Sequence, residues 1–153
     1  MYRSADIHDC EAVYRMICDL EEKTFPYDRF KAIFQKQLDD PKYECILCEE
    51  GGEVTGMLNL RCEEQLHHTE MIAEILEFVI ASGYREAGRG KAMFAYAMER
   101  AKEKGCVQIE VASNQLRKDA HKFYIREGMH NFHFRFSKRL VGPDSDENVL
   151  GGC

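Results

Sequence analysis

Apolar positions recur along the chain with two different periods, and their succession lays out the expected elements. Ile7, Val13, Met16, Ile17 and Leu20 keep helical spacing behind Asp6, whose short acidic side chain suits the capping position. A second helix is expected over residues 28–38, with Phe30, Ile33, Phe34 and Leu38 turned inward and Pro41 ending it. Residues 2–5 read as a short first strand. Residues 43–48 and 54–60 are apolar runs on either side of Gly51 and Gly52, the pattern of an antiparallel hairpin. Ile72, Ile75, Leu76, Phe78, Val79 and Ile80 are too densely apolar for a half-solvated strand, so residues 71–80 are expected to be covered on both faces. Phe94, Ala97, Met98 and Ala101 then mark a helix that Gly105 stops. Residues 107–112 read as a strand and 116–127 as a helix ended by Gly128. Finally, Phe132, Phe134 and Phe136 alternate with His133, Arg135 and Ser137, a period-2 signal for a closing strand. The order of elements is strand, two helices, three strands, helix, strand, helix, strand. It predicts an α/β (α+β) fold with a mixed central sheet flanked by helices.

At 153 residues, 44% of them hydrophobic and 31% charged, the chain has the composition of one ordinary globular domain. Residues 1–140 are expected to form it, and 141–153, which lack periodicity, a flexible tail. No apolar run approaches the ~18–20 residues of a spanning helix, and the first residues lack a basic stretch followed by an apolar one, so a cytoplasmic location is expected. A net charge of −6 argues against a nucleic-acid surface. Seven cysteines at irregular spacings read as reduced thiols. Cys45 and Cys48 have CxxC spacing, but residues three apart on a regular strand face opposite sides.

Three features do not fit a plain core. Glu74 and Glu77 interrupt the buried strand, where desolvation would raise a carboxyl pKa toward the range useful to a general base. Their separation places them on opposite faces unless a bulge flips the parity. The turn Arg85-Glu86-Ala87-Gly88-Arg89-Gly90-Lys91 opens a helix with the pattern R-x-x-G-x-G. That pattern is neither GxxxxGK[ST] nor GxGxxG, and by itself it leaves both a tight turn and a pyrophosphate cradle open. The third feature is His67 beside His68, open to a surface role, to acceptor binding, or to a metal site completed by His133 or a glutamate.

Arg85, Gly88 and Gly90, together with Asn114, Ala120, Phe123, Tyr124 and Gly128 in the order N-x5-A-x-x-F-Y-x-x-x-G, resemble the GNAT acetyltransferase superfamily. Within it, Leu66-His67-His68, the run DAHKFYIREG and the run HFRFSKRL look like the aminoalkylphosphonate N-acetyltransferases. The resemblance implies acetyl-CoA as cosubstrate, with Arg85 to Lys91 on its pyrophosphate, Phe78, Val79 and Ile80 along the pantetheine, and Asn114 contacting that arm. Glu86 stands where the superfamily often has glycine or a basic residue. It further implies Glu74 as general base with Glu77 in reserve, Tyr124 as the acid that protonates the thiolate, and a strand bulge near these glutamates. His67, His68 and Arg135 become candidates for the acceptor. A divalent metal and a homodimer are compatible with it. The expected reaction is acetyl transfer to a small primary amine, an aminoalkylphosphonate before a polyamine, an amino sugar or a protein N-terminus. A non-catalytic acyl-CoA-binding module is the alternative of a different kind.

Overall fold

Sheet order follows chain order in this protein, because each of the first four strands returns beside its predecessor and only the fifth arrives by a crossover. A computed structural model of the chain describes residues 1–142. It comprises two compact units, Met1–Val111 and the residues from Ala112 onward.

The first unit contains β1 (Tyr2–Ser4), a single 3-10 turn at Ile7–Asp9, α1 (Cys10–Glu21), α2 (Tyr27–Leu38), β2 (Tyr43–Glu50), β3 (Glu53–Gln65), β4 (Glu70–Ile80), α3 (Arg89–Glu103) and β5 (Gln108–Val111). Asp6 caps the 3-10 turn, as its position before the apolar stripe suggested, and its backbone N–H donates to the Asp9 carboxylate. The two-glycine turn joins β2 to β3, as expected. β1 to β4 are mutually antiparallel, and β5 lies parallel to β4 as the last strand of the sheet. The α3 crossover returns the chain in the direction that a parallel pair requires.

Each face of the sheet has its own apolar layer. On one, Cys10, Val13 and Met16 of α1 and Phe34 of α2 pack with Cys45, Leu47, Met57 and Val79. On the other, α3 presents the buried Met93, Phe94, Ala97 and Ala101 to β3 and β4. Gly56 permits the close approach of α3, since a Cβ there would lie 2.9 Å from Ile80 Cδ1 and 3.1 Å from the Met93 sulfur. Full burial of a side chain such as Phe94 or Leu58 contributes about 1.5–3 kcal/mol, which explains why the strands between two helical layers read as continuous apolar runs.

Several expectations change. Ile33 faces solvent at 40% exposure, because the inward stripe of α2 narrows to Phe34 with Phe30 and Leu38 at its margins. β3 extends to Gln65, so His67 and His68 lie in the turn to β4, where strand alternation does not apply. Cys45 and Cys48 pair with Asn59 and Gly56 and therefore face opposite sides, and six cysteines among the described residues are free thiols.

In the second unit, α4 (Lys118–Arg126) is shorter than the 116–127 expected, and Gly128 follows it at φ 90°. Residues 130–140 form neither helix nor strand, so the closing strand predicted from the Phe132, Phe134, Phe136 alternation is absent. A strand needs a neighbour to satisfy its backbone, and alternation alone supplies none. Of the tail expected at 141–153, residues 143–153 lie outside those described.

Candidate active site

The site is built around an irregularity in β4. Asn59 pairs with Glu77 and Leu60 with Ile75, so Leu76 is an extra residue in β4 without a partner on β3. This bulge reverses the side-chain parity. Glu77 lies beside Asn59 and Glu74 beside Arg61, and since Asn59 and Arg61 are two apart on β3, both glutamates face the α1/α2 side.

Their surroundings differ. Asn59 Nδ2 donates to Glu77 Oε2 at 3.0 Å and to Gln37 Oε1 of α2 at 3.0 Å. Burial raises the Glu77 pKa; the Asn59 hydrogen bond opposes that shift, and the nearby Glu21 charge adds to it. Glu74, by contrast, accepts a hydrogen bond from Arg61 Nη2 at 2.5 Å in a charge-assisted pair. Arg61 Nε is buried with no hydrogen-bond partner, its nearest acidic neighbour being Glu63 Oε1 at 3.4 Å. The two carboxylates therefore share a face, with Glu77 desolvated and Glu74 paired with Arg61.

β5 accompanies β4 only from Ile72 to Ile75. Beyond the bulge, Leu76 to Ile80 have β3 on one side and, among the described residues, no strand on the other. Phe78, Val79 and Ile80 thus lie on the stretch of β4 that β5 does not flank, and the Ile80 carbonyl accepts from Arg85.

The loop after β4 is held from both ends. Arg85 Nε donates to the Ile80 carbonyl at 2.9 Å, and Tyr84 N–H to the Ala81 carbonyl at 3.0 Å. Ala87 and Gly88 then take left-handed conformations at φ 61° and 73°, and α3 begins at Arg89 with no side-chain cap and no acidic residue in its first turn. A 15-residue helix whose first N–H groups lack a capping side chain presents donors and a partial positive charge to an anion. Arg89 is turned away, donating from Nε to Glu50 at 2.9 Å and stacking over the Tyr84 ring. Arg85 and Lys91 are exposed, as is Glu86, whose carbonyl accepts from Arg89.

Asn114 organises the entry to α4. Its Oδ1 accepts from Leu116 N–H at 2.8 Å, and its carbonyl accepts from Arg117 N–H at 3.0 Å and lies 2.7 Å from His121 Nε2. Tyr124 lies on α4 with its ring edge-on to Phe123. Arg135 belongs to the exposed segment that follows.

The His67 and His68 rings lie 4.2 Å apart at a tilt of 45°, and His68 Nε2 lies 4.0 Å from Glu110 Oε2. Nine residues of extended chain separate His68 from Glu77, roughly 25–30 Å at the rise of a strand. The histidines are therefore grouped with Glu110, the register partner of Glu74, and not with Glu77. No three His, Cys, Asp or Glu side chains converge among the described residues, so no metal role is assigned to any of them.

Asn59, Gln37 and Arg61 complete this constellation, of which Asn59 and Gln37 have no part in the sequence reading. A trace of Asn59 was present: it is a single amide within the run Met57-Leu58-Asn59-Leu60, and a buried amide needs partners.

Residues 10–129 match the acetyltransferase (GNAT) family model, a span that crosses the boundary between the two units. The chain is 38% identical over 138 residues, 90% of each protein, to the aminoalkylphosphonate N-acetyltransferase of Salmonella typhimurium. Among solved structures it is similar to a transcriptional regulator from Bacillus halodurans, with TM-score 0.84 and 26% identity over 92% of this chain and 99% of that one. The glucosamine-6-phosphate N-acetyltransferase of Arabidopsis thaliana has the same fold, with TM-score 0.76 and 19% identity over 92% and 98%.

Proposed function

The chain belongs to the acetyltransferase (GNAT) family, and on that premise we propose that it transfers the acetyl group of acetyl-CoA to the primary amine of an aminoalkylphosphonate. The observation that carries the choice of acceptor is the 38% identity, over nine-tenths of both chains, to a relative bearing that name.

Acetyl transfer forms a C–N bond and breaks the thioester C–S bond. The amine must first lose a proton. An alkylamine with a pKa near 10.4 is neutral in only about one molecule per thousand at pH 7, a barrier contribution of roughly 4 kcal/mol. A carboxylate in the central strand is suited to take that proton. Of the two, Glu77 fits this role better, because burial raises its pKa whereas the Glu74 carboxylate is occupied by Arg61. Glu77 therefore takes precedence over Glu74, the base that the resemblance implies, and Glu74 orients Arg61.

Arg61 lies on the face of Glu77, one residue pair further along the strands, with a donor to spare at Nε. That separation, roughly 7 Å along a strand, matches the reach of a short aminoalkylphosphonate whose amine approaches Glu77 and whose anion approaches the guanidinium. Acetyl-CoA is held with its pyrophosphate on the N–H groups opening α3, aided by Arg85 and Lys91. Its pantetheine pairs with Phe78, Val79 and Ile80 and contacts Asn114. The Tyr124 phenol returns a proton to the departing thiolate.

The test is CoA release from acetyl-CoA with a panel of amines: aminomethylphosphonate, aminoethylphosphonate, a polyamine, an amino sugar and an N-terminal peptide. The proposal expects the phosphonates to give the highest kcat/KM, and Arg61→Met to raise their KM while sparing a neutral amine. Turnover of other amines with none of either phosphonate rejects this acceptor and leaves the family assignment standing.

A further inference from the structure

We propose that the corner of the sheet where β1 stops is a binding pocket for an aliphatic α-amino acid, separate from the acetyl acceptor site. β1 pairs with β2 at Ile46, Leu47 and Cys48, and contact toward the start of β2 ends with Ala5 N–H on the Cys45 carbonyl at 2.8 Å. Past that point a cavity of about 330 Å³ opens between α2 and the end of α3, a size that suits a small molecule. Every residue lining it belongs to the first unit.

Glu44 supplies the polar end. It is only 8% exposed, and its two oxygens are unequally served. Oε1 accepts from Arg100 Nε at 2.9 Å and from Ser4 Oγ at 3.1 Å. Oε2 is buried with no hydrogen-bond partner among the described residues, and Lys104 Nζ stands 3.7 Å from it, beyond hydrogen-bond reach. A buried carboxylate oxygen in that state calls for a donor. Ser4, Arg100 and Lys104 all line the cavity, so the carboxylate belongs to its wall.

The ligand class follows from what surrounds that oxygen. A bare cation would meet Arg100 and Lys104, and a bare anion would meet Glu44 and Asp40. A molecule with adjacent charges of both signs satisfies the pair: its ammonium donates to Glu44 Oε2 and its carboxylate accepts from Lys104 Nζ. An α-amino acid has this form, since one carbon carries both groups. Phe34, Leu38 and Pro41 make the remaining wall apolar, which suits an aliphatic side chain.

The pocket lies behind the acceptor site. Cys45, Asn59 and Glu77 are register partners across β2, β3 and β4, and the cavity touches Cys45 and Asn59 but not Glu77. Gln37 and Asn59 form the partition. An occupant packed against Gln37 holds its Oε1 on the Asn59 amide, and so holds that amide on Glu77. This effect on turnover rests on the reading of Glu77 as base; the pocket does not.

Calorimetric titration of the full-length chain with L-leucine tests the site. L-leucine should bind, while isocaproate, which lacks the ammonium, and isoamylamine, which lacks the carboxylate, should bind at least about tenfold more weakly. Glu44→Gln and Lys104→Met should each weaken L-leucine about tenfold, and Lys104, one-quarter exposed, can be changed without disturbing the fold should Glu44→Gln not be tolerated. In amine acetylation L-leucine should raise kcat about twofold at constant acceptor KM, an effect lost in Lys104→Met. No binding of L-leucine, or binding indifferent to both substitutions, would overturn the pocket, and isoamylamine binding equally well would overturn the ligand class. Competition with the acceptor, or acetylation of L-leucine itself, would place it beside Glu77 and overturn the separation; a kcat unmoved by bound L-leucine would overturn the coupling. A chain that binds L-leucine as described yet acetylates no amine refutes the proposed function and leaves the pocket standing.

Discussion

The side-chain amide of Asn59 donates to the carboxylate of Glu77 at 3.0 Å and is the one contact that lowers a pKa which burial and Glu21 raise. This balance gives a prediction with opposite signs at two positions. A base works only when ionised, so the acid limb of kcat/KM falls at the Glu77 pKa. Asn59→Ala removes the group that favours the carboxylate, and the limb should move to higher pH. Glu21→Gln removes a like charge, and it should move to lower pH. A pH–rate profile on the two variants decides the matter; a limb unmoved by both would take Glu77 out of the reaction.

Burial of a carboxylate for catalysis carries a signature in stability as well. With its folded pKa raised, Glu77 holds its proton to higher pH in the native state than in the unfolded chain. Stability therefore declines as pH rises through that window, and at pH 7 the ionised group is a burden. Glu77→Gln keeps the shape and removes the charge. Turnover should drop by about 10² to 10⁴, while the thermal midpoint at pH 7 rises and the gain shrinks toward pH 4. A variant less stable than the parent at pH 7 would mean that the ionised carboxylate holds the fold together.

Gly88 takes φ 73° at the N-cap of α3, a conformation that a β-branched residue adopts only under strain. Nothing lies within 4 Å of a Cβ built there, so the penalty is conformational rather than a clash. Gly88→Val should tilt the first N–H groups of α3 and raise KM for acetyl-CoA about tenfold with a smaller change in kcat, at roughly 1–2 kcal/mol of stability. Ala87, left-handed at φ 61°, tests the same point in reverse: Ala87→Gly should stabilise by about 0.5–1 kcal/mol and leave KM nearly unchanged. Calorimetric titration with CoA and thermal melts read both.

For Tyr124 the proposed task is proton return to sulfur, which a phenyl ring cannot perform. Tyr124→Phe should lower kcat by about 10² to 10⁴ and leave the CoA dissociation constant within about twofold. An unchanged rate would assign the ring to packing on α4.

How far this could be read from the chain depended on whether a feature was local. The Gly51-Gly52 hairpin, the capping by Asp6 and the R-x-x-G-x-G opening of α3 are each fixed by residues within one turn of one another, and all were legible. The bulge at Leu76 was implied only by the family resemblance and could not be placed by pattern, because Ile75-Leu76 and Phe78-Val79-Ile80 are apolar on both sides of it and a doubly covered strand has no alternation to break. With its place unfixed, the common face of Glu74 and Glu77 remained one of two alternatives, and the distinct fates of the two carboxylates followed only from the structure. Asn59 was hidden for a related reason, since its meaning comes from Gln37 on α2 and Glu77 on β4, 22 and 18 positions away. The alternation over Phe132, Phe134 and Phe136 was legible as a pattern, but a strand also requires a neighbouring edge to pair with, and periodicity does not supply one.

The junction of β1 with the first helices rests on an ion pair that supplies the final prediction. Asp9 accepts from Arg3 Nη1 at 2.8 Å, from Arg3 Nη2 at 2.9 Å and from the Asp6 N–H at 2.8 Å, while Arg3 also donates to Glu49 of β2 at 2.8 Å. The Arg3 hydrogen bonds, stronger than the opposing effect of burial, hold the Asp9 carboxyl below the usual carboxylate range. A depressed pKa means that the stabilisation is fully present above the unfolded value near pH 4 and is lost as pH falls through the lower folded value. Asp9→Asn should therefore cost about 1–2 kcal/mol at neutral pH, a figure that allows for the one-third exposure of Arg3. The difference from the parent should stay constant from pH 7 to about pH 4 and shrink below it. Denaturant melts at pH 7, 5 and 3 measure this directly. A difference that persisted undiminished at the lowest pH would trace the loss to the shape of the cap instead of to the charge on Asp9.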